Sequence, residues 1–400
     1  MLGAPFHTNN RRLFQKELRQ GEVIIITAHS RVQKSADQFY FSQQRDFYYL
    51  TGINQPDWLL VVTAGEEFLV APKLSDVEMI FDGGLDRESA SKFSGVKEVL
   101  PSRAGWQKVN RILKSAKEVQ TLLVSGSKVG RAYRNPAFKA LARKLKSKTA
   151  APILSIHPQL HDRRAIKQPA EIKALQQAID ITGDTLEEVK SQLSQIESEN
   201  QFESMITAGF RSRGAAGHAY DPIVAGGLNA CTLHYIDNNH SLRAGELALI
   251  DVGAEVDYYS ADITRVWARA EPSPLQVAVH DAVNRVRSEM IKTLRPGLKF
   301  AEYFHAFDEV MGEQLVKLKL LKKPTPGGVR RFCPHGVSHF LGLDTHDVAA
   351  DYKVFKENMV LTVEPGIYLP EERLGIRIED NVLISKNGAR NLSSKIETAL

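Results

Sequence analysis

ELALIDVGAEVDYYSADITRVW, residues 246–267, decides how this chain folds once it is set beside VEPGIYLPEERLGIRIEDNVLIS, residues 363–385. Each stretch reads as two strands around a polar break. Asp251 and Asp262 are equidistant from the break at Val256-Asp257, and Glu364 and Glu379 from the break at Glu371-Glu372. In an antiparallel hairpin each acid then comes close to facing its partner. Opposed Cβ atoms stand roughly 4.5–5.5 Å apart, and like charges so placed repel. Side chains alternate between faces with a period of two, so the opposed acids share a face. A chain that builds this repulsion twice holds cations between the acids. The matched hairpins also hint at a pseudo-twofold arrangement.

Four ionised carboxylates balance two divalent cations, and a neutral ligand completes the set without upsetting that balance. PHGVSHFLGLDTHD, residues 334–347, offers His335, His339 and His346, with Gly336 and Gly342 permitting close backbone approach. Taken singly, each residue has a plainer explanation. An aspartate in a strand commonly marks a turn or an edge, and a core histidine is commonly just hydrogen-bonded. Asp251, however, follows LALI in an apolar strand, where an unpaired carboxylate is costly. Mostly oxygen donors with one imidazole suit Mn²⁺, and also Co²⁺, Zn²⁺ or Fe²⁺. Two such ions roughly 3.5–4 Å apart share an attacking water, lower its pKa and clamp the oxyanion that forms. The pattern points to a metal hydrolase.

Around these hairpins the chain divides in two. Its 400 residues exceed one ordinary core, and 43% hydrophobic with 25% charged residues is a globular composition. In the first part, strand-like segments at 22–28 (EVIIITA), 58–63 (WLLVVT), 67–70 and 120–125 alternate with helical ones at 11–19, 104–117 and 137–145. That is an α/β domain with its sheet buried on both faces. Near residues 158–167 the texture turns polar, and Pro169 opens a long helix, where a first-turn proline is tolerated. Ile172, Leu175, Ala178 and Ile179 mark its buried face. The expected domains are 1–164, α/β, and 165–400, α+β. The second is expected to hold helices near 169–198, 201–214, 274–294 and 300–320, and strands near 221–226, 246–254, 258–267, 336–343, 359–365 and 375–385.

Composition also excludes. The net charge is +5, from 52 basic and 47 acidic residues, and the run KALARKLKSK at 139–148 reads as a solvated helix face rather than a nucleic-acid site. No window approaches the roughly 18 apolar residues of a membrane span, and MLGAPFHTNNRRLFQKELRQ lacks the apolar centre of a secretory signal. Cys231 and Cys333 make no disulfide framework, so a cytoplasmic location is expected. Both thiols read as packing residues, since soft thiolates are an odd choice beside hard carboxylates.

At these residues the chain resembles the proline-specific branch of the pita-bread metallopeptidases, aminopeptidase P and prolidase. The likeness covers the run 251–262, HGVSHFLGLDTHD from His335, EPGIY from Glu364 and GIRIED from Gly375. In the first half it covers DFYYLTG at 46–52 and the Gln55-Pro56-Asp57 stretch. It implies an aminopeptidase P-like α/β N-terminal domain and an α+β pita-bread (creatinase/aminopeptidase-like) catalytic domain. It implies that Asp251 chelates one metal, that Asp262 and Glu379 bridge both, and that His339 and Glu364 complete the other. Glu364 is then also the proton shuttle, and His234 and His346 contact the substrate carbonyl. His335 lines the proline pocket with Tyr368 as a further substrate contact, and Arg377 orients the site. Two departures stand out. Thr345 sits where the signature has valine or isoleucine, and ITRVWARAEPSP after Asp262 lacks the usual Pro-Gly.

The activity so implied is that of an Xaa-Pro aminopeptidase, hydrolysing the bond between an N-terminal residue and a following proline. A bond before proline has no N–H on its leaving nitrogen, and proline restricts the residue before it, so a dedicated pocket is needed. A prolidase, limited to Xaa-Pro dipeptides, would use the same metals; the HGVSH segment and the short LPEER turn lean toward the aminopeptidase. Metal-free members of the fold act as binding modules but drop ligands, whereas here all five positions keep them. Methionine aminopeptidase shares the ligand types but has no need of the N-terminal α/β domain. The implied partners are peptides with proline in second place, and the resemblance implies a homodimer or homotetramer.

Overall fold

Val23, Ile24, Ile25 and Ile26 are all buried, so the strand Glu22–Thr27 lies inside its sheet rather than at an edge. The computed structural model describes residues 2–34, 37–38, 40–123, 135–348 and 351–400. It divides into two units, Met1–Leu160 and His161–Leu400. In the first, six strands run in the order Glu98–Leu100, Glu67–Val70, Leu59–Thr63, Glu22–Thr27, Glu118–Thr121 and Ile153–Ser155. Leu59–Thr63 pairs antiparallel with both its neighbours, and the remaining pairs are parallel. Helices Ser102–Ser115 and Pro136–Lys146 send Val109, Leu113, Leu141 and Leu145 into the core formed with Val23, Ile25, Val61 and Phe68. The sequence-expected helix at 11–19 begins earlier, as Ala4–Glu17 with Pro5 in its first turn. Of the strand expected at 120–125, residues 124–125 lie outside the described residues.

The second unit is α+β. Helix Pro169–Ser191 starts where Gln168 donates its N–H to Glu171 Oε2 at 2.8 Å, and it packs on Ala254–Val256 and Tyr259–Ser260. Helices Pro274–Thr293 and Phe300–Lys317 cover the other side, placing Val279, Val283, Phe307 and Met311 in a core with Val363, Ile367 and Ile376. A short helix, Pro326–Phe332, was not expected from the sequence.

The first acidic hairpin turns one residue later than its symmetry predicts. Val256 pairs with Tyr259, so Asp257-Tyr258 forms the loop, both with positive φ (51° and 68°). That is a turn of the I′ kind, whose twist suits a hairpin. Asp251 is therefore paired with Thr264, and Asp262 lies diagonally across, two residues short of facing it. At Gly253 the hairpin passes from one sheet to another, and a Cβ there would stand 1.8 Å from Ala261 O. The second hairpin keeps the expected register: Val363 faces Asp380 and Gly366 faces Arg377, which sets Glu364 opposite Glu379 at the break between two ladders.

The expected strand at 336–343 is a correction. Thr362 and Glu364 donate N–H bonds to His339 O and Val337 O, and Leu341 donates to Val360 O, so the segment runs beside 360–364. The reciprocal bond fails because His339 N–H goes to Thr362 Oγ1 at 3.1 Å. A side chain replaces the ladder, and a loop results.

Candidate metal centre

The two hairpins bring their acids together by bonding to each other. Glu379 donates its N–H to Thr264 O at 3.1 Å, and Thr264 Oγ1 donates to Glu379 Oε2 at 2.7 Å. Asn381 takes both main-chain groups of Asp262: its Oδ1 accepts the Asp262 N–H at 3.1 Å and its Nδ2 donates to Asp262 O. Asp262 is thereby turned out of its own ladder toward Glu379. A cavity of about 330 Å³ results, lined by Asp251, Asp262, Glu364, Glu379, His339, His234, His335, His346 and Arg377 among others.

Ligand atoms of Asp262, His339 and Glu379 all lie within 4.8 Å of one another. His339 donates Nδ1–H to Phe340 O at 3.0 Å, which turns Nε2 toward Asp262 Oδ2 (3.3 Å) and Glu364 Oε1 (3.6 Å). A second carbonyl bond of this kind commonly fixes the tautomer of a metal-binding imidazole. The loop carrying His339 and His346 is closed by Asp347, whose N–H reaches Phe340 O at 2.9 Å. The Asp347 carboxylate takes Lys167 Nζ at 2.9 Å and Arg164 Nη2 at 2.5 Å, so a buried charge cluster braces that loop. The rings of His339 and His346 stand 4.4 Å apart.

Asp251 and Glu364 line the same cavity. Arg377 Nη2 donates to Asp251 Oδ2 at 2.6 Å, and Tyr220 places its hydroxyl 2.5 Å from Asp251 Oδ1 and 2.7 Å from Asp262 Oδ1. Glu364 Oε2 lies 3.6 Å from His335 Nδ1. Tyr368, expected to touch substrate, is not among the residues lining the cavity. It lies behind the wall, accepting from Arg377 Nη1 and meeting His335 Nε2, both at 2.8 Å.

The electrostatics fit a pair of cations. Burial, then Asp262 and Glu364, push the Glu379 carboxyl well above its usual range. Burial raises Glu364 to about 7, with His339 opposing and Asp262 reinforcing, and burial raises Asp251 against the pull of Arg377. Burial alone would lower His339, but the Asp262 carboxylate overrides it and holds the imidazole up at about 9. Protons stand here in place of positive charge, and mostly hard oxygen donors with one imidazole match divalent first-row metals. His335, by contrast, is driven down to about 4 by burial and then by Arg377, so it is neutral.

Sequence reasoning missed Tyr220, Thr264 and Asn381. Thr264 and Asn381 carried a usable signal, each lying two residues after a candidate ligand, Asp262 and Glu379, and so on the same face of an extended chain.

Known proteins are similar to this chain in both of its parts. The pattern of metallopeptidase family M24 matches residues 173–386, and that of the aminopeptidase P N-terminal domain matches residues 7–122. The chain is 30% identical to the Xaa-Pro aminopeptidase of Escherichia coli (strain K12), over 96% of this chain and 93% of that one. Among solved structures, a putative aminopeptidase P from Bacillus anthracis superposes with a TM-score of 0.90 at 30% identity, covering 100% of this chain and 96% of that one. Aminopeptidase P from E. coli with the inhibitor Pro-Leu gives 0.87 at 28% identity, with 100% and 96% covered. With its aminopeptidase P-type N-terminal domain and its pita-bread catalytic domain, the chain belongs to metallopeptidase family M24.

Proposed function

We propose that this chain is an Xaa-Pro aminopeptidase that removes the N-terminal residue preceding proline from peptides. The observation that carries the reading is the gathering of Asp251, Asp262, Glu364, Glu379 and His339 on one cavity flanked by His234, His335 and His346. Asp251, Asp262 and Glu379 would hold one cation, and Asp262, His339, Glu364 and Glu379 the other. When bound, two divalent ions supply the positive charge that acidifies the attacking water and polarises the scissile carbonyl.

The chain's own residues supply the rest. Glu364, which lies between His339 and His335 on the cavity wall, takes a proton from the water and passes it to the proline nitrogen as the C–N bond breaks. His346 and His234 face the carbonyl and steady the oxyanion. His335, neutral and fixed by Tyr368, walls the proline ring. Arg377 holds Asp251 in place through a bond of 2.6 Å.

Manganese is the metal we favour, because most of the donors are hard carboxylate oxygens. The free thiols Cys231 and Cys333 fit a cytoplasmic setting. Among the described residues no helix is long and apolar enough to cross a membrane. A homodimer or homotetramer is supported by the short helix Asp76–Asp82, which leaves Ile80 81% and Phe81 82% exposed. The functional domains are taken as 1–164 and 165–400.

The test compares an Xaa-Pro-Pro tripeptide with an Xaa-Pro dipeptide, with metal analysis on the same sample. Cleavage of the tripeptide by protein holding two transition-metal ions is expected. Turnover of dipeptides alone, or full activity without metal, would overturn the proposal.

A further inference from the structure

Arg265 follows Thr264 and points, by the period of two, away from the cavity. Its side chain is buried, and every N–H of the guanidinium finds an acceptor. Nε donates to Glu397 O at 2.8 Å. Nη1 donates to Thr264 O at 2.9 Å and Glu379 O at 2.6 Å, and Nη2 to Asp380 Oδ1 at 2.8 Å and Ile396 O at 3.0 Å. A guanidinium has five donors in a rigid fork, and all are used. Four of the five acceptors are main-chain carbonyls. Two of these belong to the strands that carry the metal centre, and two to residues 396–397.

Glu379 needs such a grip. It sits at the break between two ladders, and its N–H already goes to Thr264 O. With its carbonyl taken by Arg265, both main-chain groups of Glu379 are held by consecutive residues of the other hairpin. The segment that fills the far side of the guanidinium is anchored in turn. Ser393 Oγ donates to Asp380 Oδ1 at 2.9 Å, His280 Nε2 meets Thr398 O at 2.7 Å, and Lys190 Nζ donates to Ala399 O at 3.0 Å.

We propose that Arg265 is a positioning residue for the metal centre, fixing the main chain of Glu379 against that of Thr264, and that residues 393–399 complete its grip. The proposal rests on the reading of Glu379 as a metal ligand. A ligand bridging two ions must be placed to within a fraction of an ångström, and its carboxylate can be no better placed than its backbone.

The test is a cobalt(II) titration of metal-depleted full-length protein against a competing chelator, with the visible absorption spectrum recorded at each step. Wild type, Arg265→Gln and Arg287→Gln are compared. Arg287 also donates to Asp380, but it touches neither carbonyl. In Arg265→Gln, loading is expected to weaken about 10–100-fold, the usual cost of losing a residue that orients a ligand, and the absorption bands are expected to shift. Arg287→Gln is expected to load as wild type does. Wild-type affinity and spectrum in Arg265→Gln, or equal weakening in Arg287→Gln, would overturn the proposal. If Arg265→Gln does not fold, Arg265→Lys keeps the buried positive charge beside Asp380 but, with a single nitrogen, cannot span the carbonyls of Thr264, Glu379, Ile396 and Glu397. Weaker loading is then expected, and unchanged loading overturns the idea. Wild-type protein that takes up no cobalt would instead refute the metal-site reading itself.

Discussion

Glu364 and Glu379 stand opposite one another in a single antiparallel register, yet the N–H of Glu364 goes to Val337 O and that of Glu379 to Thr264 O. Each acid is held by a different neighbour, and the two side chains are left facing the same cavity. That level is a non-hydrogen-bonded one, where opposed side chains stand closest, and the ladder breaks one step on at Pro365, which has no N–H: there only the Ile378 N–H bonds across, to Pro365 O at 3.3 Å.

Metal removal should therefore destabilise as well as inactivate. Ions present at a hundredfold excess over their Kd stabilise by about 2.7 kcal/mol, or roughly 5–10 °C in Tm for a domain of this size. Differential scanning calorimetry before and after verified chelation checks this. An unchanged Tm would contradict the packed-acid picture.

Asp262→Asn should lower kcat/KM by more than about a hundredfold, at least roughly 2.7 kcal/mol of transition-state stabilisation. A neutral amide is a poor bridge between two cations, and the charge of the quartet is unbalanced. Metal analysis should show fewer than two ions per chain. Wild-type activity and loading in the variant would refute the bridging role.

His346→Ala should separate chemistry from metal binding. The ring lies on the exposed side of the cavity, 4.4 Å from that of His339 but outside the cluster of Asp262, His339 and Glu379. Turnover is expected to fall about a hundredfold, as for loss of an oxyanion-stabilising donor, with metal content retained. Metal loss in proportion to the rate loss would contradict the assignment.

Glu171→Gln reads the buried charge cluster under the histidine loop through pH. Burial raises the Glu171 carboxyl from its ordinary 4.5 to about 7, against Lys167, which pulls it down. The folded state therefore holds this proton more tightly than the unfolded chain does. Stability from this group is full below pH 4.5, falls as the pH climbs toward 7 and levels off above it, by roughly 3 kcal/mol in total. The glutamine variant lacks this slope. It should be the less stable protein at pH 4.5, having lost one of the bonds to Gln168 N and Tyr259 OH, and should gain on wild type by pH 8. Urea midpoints at several pH values test this, and parallel curves would contradict it.

The legible part of this structure was the part that repeats. Glu364 and Glu379 could be paired from sequence because the LPEER turn is short and centred, so symmetry about it gives the true register. Asp251 and Asp262 were placed on the right face but one step off, because Asp257-Tyr258 adopts left-handed conformations usually signalled by Asn-Gly. The strand expected at 336–343 failed for a local reason: the Thr362 hydroxyl outcompetes a carbonyl for one N–H. Tyr220 and Arg265 act through contacts between segments far apart in sequence, and no spacing rule reaches them. Tyr368 illustrates the limit of carrying a motif over: its position beside Gly366 was clear, but its place behind His335 required the packed structure.

From Asp251 through Arg377 and Tyr368 to His335 runs an unbroken relay of hydrogen bonds of 2.6–2.8 Å, joining one carboxylate of the acidic cluster to an imidazole of the cavity wall. Any coupling between metal loading and the imidazole would run through this relay. Coupling free energies are reciprocal, so whatever affinity a proline ring gains from a charged-up centre, the centre gains from the ring. A product peptide that lingers would also be a guardian of the ions beneath it.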